Sequence, residues 1–263
     1  MTARAGGPPR GTPAPALDGH RVVRLTILDL GRFDVGPGRR TIPIPGFLVE
    51  TDHGARILID GGFPPAYAAD PDAAARADGL PAFGCLAGYH AGQTLPGALA
   101  ALGLTVSDID LHILTHGHID HVGALPLIAC PLVLTARERA EPRPLYFGTA
   151  RPMPWPEVLT HTIDARTDIC DGLTLIPTPG HTPGHLSVLV TLPQGPVILT
   201  GDAINRRSEP EEGFPDAMDP VAAAASAAHL HALRDRLGAA LIWGHDPAQW
   251  PGLPKAPLPF VPA

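Results

Sequence analysis

The chain has 263 residues, 19 basic and 26 acidic side chains, a net charge of −7 and 44% hydrophobic residues. That composition excludes a disordered chain, and the lack of clustered lysine and arginine argues against a nucleic-acid partner. No apolar run approaches the roughly 18 residues that span a bilayer, so no membrane association is expected.

Residues 1–20, rich in Gly, Pro and Ala, read as a flexible tail without an apolar leader, and a cytoplasmic location is expected. Residues 21–263 read as a single domain. Short apolar runs bounded by Gly, Pro, Asp or Thr predict strands over Val22–Leu28, Phe47–Val49, Arg56–Ile59, Leu111–Leu114, Leu132–Leu134, Leu173–Ile176, Leu186–Val190, Val197–Leu199 and Leu241–Trp243. Leu95, Leu99 and Leu102 line one face of a predicted helix that Gly103 stops. A longer helix is predicted between Asp219, a cap followed by Pro220, and Gly238, with Leu230, Leu233 and Leu237 as its stripe. Strands interspersed with helices, with hairpin-like pairs over Phe47–Ile59 and Leu186–Leu199, predict a layered α/β architecture of mixed sheets.

Three segments, Phe63–Gln93, Glu141–Glu157 and Asn205–Asp219, match no regular element. They hold Phe63, Tyr67, Phe83, Tyr89, Tyr146, Phe147, Trp155 and Phe214, eight of the 13 aromatic residues. These rings either pin long loops to the body or wall an apolar pocket, and both can hold at once. They are the candidate substrate contacts. His90, in the first segment, stands between packing and substrate contact. Cys85, Cys130 and Cys170 are too far apart for a thiolate metal motif and read as separate thiols.

The chemistry concentrates in "LTHGHIDHVG", Leu114–Gly123, directly after a predicted strand. His116 and His118 lie two residues apart, so an extended segment points both the same way. Asp120 and His121 follow as the chain turns and suit a neighbouring position. Three other predicted strands end in a small residue and then a ligand-type side chain: His181 in "TPGHTPGH", Asp202 in "TGDA" and His245 in "GHD". Imidazole and carboxylate without thiolate suit two divalent cations, zinc first, with iron, manganese or cobalt as alternatives. A carboxylate such as Asp202 can bridge two ions. His112, inside the predicted strand, is left out of the set. His20, His53, His161, His229 and His231 read as surface residues.

This order of motifs resembles the metallo-β-lactamase fold superfamily over nearly the whole chain after the tail. The resemblance implies a four-layer αββα sandwich, two mixed β-sheets flanked by helices. It assigns His116, His118 and His181 to one metal, Asp120, His121 and His245 to a second, and Asp202 as the bridge. Asp60 in "ILIDGG" and His185 would support those ligands from behind. Within the superfamily the chain is similar to N-acyl-homoserine lactonases and pyridoxolactonase-like enzymes, through "DGGFP", "TLPGALAALGLTVSDIDLHILTHGHIDH" and "MDP…GHDPAQW". Those lactonases carry a tyrosine three residues after the bridging aspartate, whereas this chain carries Asn205. The implied activity is opening of a lactone with an apolar part by hydroxide held between the metals. Asp120 would move the proton, and Asn205 would orient the carbonyl. Hydrolysis of another ester, thioester, carbamate or β-lactam is the alternative of the same fold. A nuclease, a di-iron electron carrier and a non-catalytic metal-binding protein are further from the pattern. A homodimer is left open.

Overall fold

The computed structural model describes residues 17–36, 40–144 and 153–262. Most of the proposed tail, residues 1–16, and the candidate contacts Tyr146 and Phe147 lie outside the described residues. Residues 17–20 are fastened rather than loose. The Leu17 N–H donates to the Ile169 carbonyl at 2.7 Å, and the His20 carbonyl accepts from Asp171 N–H at 3.0 Å.

In chain order the strands are β1 (Val22–Val35), β2 (Arg40–Thr51), β3 (Arg56–Ile59), β4 (Gly84–Leu86), β5 (Leu111–Ile113), β6 (Leu132–Thr135), β7 (Thr160–Ile163), β8 (Thr167–Cys170), β9 (Leu173–Pro177), β10 (Leu186–Leu192), β11 (Gly195–Leu199) and β12 (Ala240–Ile242). The α-helices are α1 (Ala66–Ala69), α2 (Pro71–Asp78), α3 (Leu95–Ala100), α4 (Ala136–Arg139), α5 (Glu209–Glu212) and α6 (Pro220–Leu237). A seven-stranded sheet has the order β4-β1-β2-β3-β5-β6-β7, and a five-stranded sheet the order β12-β11-β10-β9-β8. Both are mixed: β3, β5, β6 and β7 pair in parallel, as do β11 and β12, and the other pairs are antiparallel.

Alternation along each strand builds the layers. Ile27, Phe47, Val49, Ile57 and Ile59 of the first sheet meet Leu175, Leu186, Val188, Val197 and Leu199 of the second in a central core. The intervening residues Leu28, Leu48 and Leu58 face outward against Leu95, Ala98 and Leu99 of α3. On the far side, Leu189 and Ile198 pack beneath Ala223, Ala227, Leu230 and Leu233 of α6. Each fully buried aliphatic side chain contributes about 1.5–3 kcal/mol. The result is two mixed β-sheets flanked by helices, an α/β fold.

Several elements extend or depart from expectation. β1 continues beyond Leu28 because a register shift between Asp29 and Arg32 accommodates the irregularity. β2 begins seven residues before Phe47, with Pro43 and Pro45 paired opposite the flanks of that shift. Segments 63–93 and 205–219 contain α1, α2, β4 and α5. The Asp70 side chain accepts from Ala73 N and Pro71 opens α2, the same start signal that Asp219 and Pro220 give α6. His161 in β7 is 7% exposed, so it is a core residue rather than a surface one.

Candidate metal centre

Four strand ends deliver the ligand-type residues to one edge of the two sheets. β5 leads into His116–His121, where His121 N–H closes a turn on the His118 carbonyl at 3.0 Å. β9 leads into the His181 loop, closed by Thr178 N–H on the His185 carbonyl at 2.8 Å. That loop is also anchored to the start of α6, because Asp219 N–H donates to the Gly180 carbonyl at 2.9 Å. β11 ends just before Asp202, and β12 just before His245, whose N–H donates to the Asn205 carbonyl at 2.8 Å.

The seven side chains form two groups. Ligand-type atoms of His116, His118, His181 and Asp202 all lie within 4.8 Å of one another, as do those of Asp120, His121 and His245. Asp202 faces both groups. Its Oδ2 lies 3.1 Å from His181 Nε2 and 3.8 Å from His116 Nε2. Its Oδ1 lies 3.1 Å from His245 Nε2 and 3.4 Å from His121 Nε2. All seven residues are buried. His116 Nε2, Asp120 Oδ1, His121 Nε2, Asp202 Oδ1 and His245 Nε2 are buried without a hydrogen-bond partner. Leaving each such atom unpaired costs about 1–3 kcal/mol, and one divalent cation per group supplies the missing partner. The donor set therefore suits two metal ions.

The opposite nitrogens are held from behind, which fixes which ring nitrogen faces the centre. His121 Nδ1 bonds Asp60 Oδ2 at 2.8 Å, and His245 Nδ1 donates to the Pro43 carbonyl at 2.8 Å. His116 Nδ1 meets Thr115 Oγ1 at 3.1 Å. His185 stands behind Asp202: its Nε2 accepts the Asp202 N–H at 3.0 Å, and its Nδ1 meets Thr178 Oγ1 at 2.9 Å. Burial, then the neighbouring His181, push the His185 pKa down to about 3. The neutral ring is the form that can accept that N–H.

Burial pushes the pKa values of His116 and His118 well below the ordinary range. It also opposes charge on His121 and His245. There the carboxylates outweigh it, Asp120, Asp60 and Asp202 at His121 and chiefly Asp202 at His245, and both pKa values rise. Burial likewise opposes the charge on Asp202, yet His245, His181, His121 and His116 hold its carboxyl well below the usual range. The carboxylates that raise His121 and His245 favour positive charge at that position.

A cleft of about 610 Å³ opens onto His118, Asp120, His181, Asp202 and His245. Its apolar wall is Phe33, Val35, Ile42, Ala82, Phe83 and Met218, and Arg40, Asn205 and Asp216 also line it. Of the described aromatic candidates only Phe83 lines this cleft. Phe63 and Tyr67 are 2% and 1% exposed in the outer core and meet edge-on at 5.4 Å between ring centroids. Tyr89 and Trp155 pack against the same core. Trp155 Nε1 donates to the Glu141 carbonyl at 2.7 Å. Phe214 is 3% exposed beneath α6. Those rings pin loops to the body. His90 caps a short turn by accepting from Gly92 N–H at 3.2 Å.

Asn205 is 7% exposed, and its Nδ2 donates to Glu209 Oε1 at 3.1 Å while its backbone N–H donates to Glu209 Oε2. Burial raises the Glu209 pKa, and the Asn205 bonds oppose the rise. Sequence reasoning missed Glu209, Phe33 and Glu138. Glu138 is 2% exposed and reaches both histidine loops. Its one available signal, Thr135-x-x-Glu138, marks a helix start and is silent on where the carboxylate points.

Comparison with known proteins gives a consistent picture. A family profile described as the Metallo-beta-lactamase superfamily matches residues 42–245. The N-acyl homoserine lactonase AttM of Azorhizobium caulinodans is 33% identical over 235 residues, covering 82% of this chain and 86% of the relative. The N-acyl homoserine lactonase AiiA of Bacillus thuringiensis subsp. kurstaki is 29% identical over 222 residues, 80% of this chain and 84% of the relative. The solved structure of an N-acyl homoserine lactone hydrolase, with the product N-hexanoyl-L-homoserine at its catalytic metal center, superposes with a TM-score of 0.77. That match covers 91% of this chain and 100% of the other at 22% identity, and speaks to fold alone. The profile match and the AttM relative together establish that this chain belongs to the metallo-beta-lactamase superfamily.

Proposed function

We propose that the chain is a dinuclear metal-dependent hydrolase that opens a lactone with an apolar part, of the acyl-homoserine lactone kind. The observation that carries this reading is Asp202, with one oxygen turned to each group of ligand-type side chains. In this reading His116, His118 and His181 hold one ion, Asp120, His121 and His245 the other, and Asp202 both. Zinc is the first choice for each. When bound, the ions supply Lewis acidity and lower the pKa of a water to about 7, so that hydroxide is available at neutral pH.

The chain's own side chains account for the rest. Asp120 Oδ2 lies 3.5 Å from His245 Nε2, while Oδ1 has no partner and the residue lines the cleft. Asp120 is therefore placed to take the proton released as water adds and to return it to the departing ring oxygen. Asn205, fixed by Glu209, lines the cleft and orients the substrate carbonyl. Phe33, Ile42, Phe83 and Met218 receive the apolar part of the substrate and exclude water from it. The AttM and AiiA relatives, named as N-acyl homoserine lactonases, support the same substrate class.

The test is a panel of acyl-homoserine lactones of increasing chain length, simple γ-lactones, S-lactoylglutathione and nitrocefin, offered to the metal-loaded protein. Ring-opened N-acyl-homoserine, identified by mass, is the expected main product. Faster turnover of the thioester or the β-lactam, or no lactone opening at all, rejects the reading.

A further inference from the structure

We propose that Glu138 is a positioning residue that ties two histidine loops into one three-histidine pocket, a proposal that rests on the ligand assignment just given. Glu138 lies on α4, next to β6, and is 2% exposed. Its Oε1 accepts the backbone N–H of Gly117 at 2.8 Å, between His116 and His118. Its Oε2 accepts the hydroxyl of Thr182 at 2.8 Å, the residue after His181. Gly117 follows β5 of the seven-stranded sheet, and Thr182 follows β9 of the five-stranded one. One carboxylate thus bonds both loops, which otherwise belong to separate sheets.

The ligand-type atoms meet at that junction. His118 Nδ1 and His181 Nε2, one from each loop, lie 2.9 Å apart. The neighbouring contacts are equally close. Thr135 Oγ1 donates to the Gly184 carbonyl at 2.5 Å and accepts the Glu138 N–H at 3.1 Å. A Cβ on Gly184 would stand 2.3 Å from the Glu138 nitrogen, so only glycine lets the second loop lie flush on α4. The carboxylate is acceptor-only and satisfies one buried N–H and one buried hydroxyl, each of which would lose its partner without it. Groups behind metal ligands typically govern affinity by about 10–100-fold when removed.

The experiment is a cobalt(II) titration of the metal-free protein, followed by visible absorption and chelator competition. His118→Ala and His245→Ala supply reference spectra for the two sites. Glu138→Ala is expected to weaken the three-histidine site about tenfold or more. The Asp120, His121 and His245 site stays within about threefold of the native value. Glu138→Gln, which keeps the Gly117 acceptor and can bond Thr182 through its amide, restores affinity to within about threefold of native. Thr182→Val, which removes only the hydroxyl arm, weakens the same site about threefold or more, and it decides the matter if Glu138→Ala does not fold. Val133→Ala, a core truncation in β6, lowers Tm and leaves both affinities alone. Native-like binding by Glu138→Ala or Thr182→Val, or an equal loss at both sites, overturns the proposal. Lactone turnover is not read, so a native protein that binds two cobalt ions and opens no lactone rejects only the proposed function. A lactonase whose Glu138→Ala form keeps its cobalt rejects only this inference.

Discussion

Asp60 Oδ2 and His121 Nδ1 are joined at 2.8 Å, and the same carboxylate also accepts from the Thr115 backbone N–H at 2.9 Å and the Thr115 hydroxyl at 2.8 Å. Asp60 reaches these partners from a left-handed backbone conformation, φ 58°, at the end of β3. A non-glycine residue in that region costs of order 1 kcal/mol or more, which the three bonds offset. Asp60→Asn replaces one acceptor oxygen with a donor and disrupts the arrangement. Affinity at the Asp120, His121 and His245 group should fall about 10–100-fold, and excess metal should restore activity. Metal content after dialysis against a chelator checks this, and native retention contradicts it.

Asn205 touches the cleft and is not part of either ligand group. Asn205→Ala should lower kcat for a lactone about tenfold or more while the ions per chain stay the same. Paired kinetics and metal analysis decide it. A lost ion would mean that Asn205 acts on the structure of the centre, and an unchanged kcat would remove it from catalysis.

Phe83 and Met218 are 38% and 58% exposed at the cleft wall. Replacing either with Ser should raise KM for long acyl chains several-fold with little change for short ones, since each buried methylene is worth about 0.8 kcal/mol. A uniform change across chain lengths would place the apolar part of the substrate elsewhere.

His112 is fully buried in β5, and neither ring nitrogen has a hydrogen-bond partner. Burial pushes its pKa down to about 4, with Asp60 opposing the fall. Unfolded, the ring titrates near 6.5, so between those values the unfolded chain binds more protons and stability falls as pH falls. The loss between pH 8 and pH 5 is about 2 kcal/mol from this group. His112→Leu should remove that slope and raise Tm of the metal-free protein at pH 5 more than at pH 8. Parallel pH profiles for the two proteins would contradict it.

The inner strands were legible because a short apolar run bounded by turn residues is a local signal: Ile57, Leu58 and Ile59 form one, and the fold buries its two faces in different cores. The ligand-type residues were legible for the same reason, since each follows an apolar run. The edges were not. β7 and β8, "THTI" and "TDIC", are four residues each and too polar to stand out. Phe33 was hidden by Asp29, Gly31 and Arg32, which interrupt the apolar pattern where β1 shifts register. The aromatic loops were ambiguous in principle, because Tyr67 in a core and Phe83 in a cleft wall answer to the same apolar preference. Glu138 was unreadable because its partners, Gly117 and Thr182, are set by tertiary packing, and Glu209 because no local motif announces that its carboxylate folds back on Asn205, four residues earlier.

The bond from His245 Nδ1 to the Pro43 carbonyl closes a span of 202 residues. Chains emerge from the ribosome N-terminus first. Asp120 and His121 are made early, yet their group is complete only when the last strand delivers His245. If this group holds the second ion, as proposed, nascent or C-terminally clipped protein would lack that site, and full loading would certify that synthesis has passed residue 245.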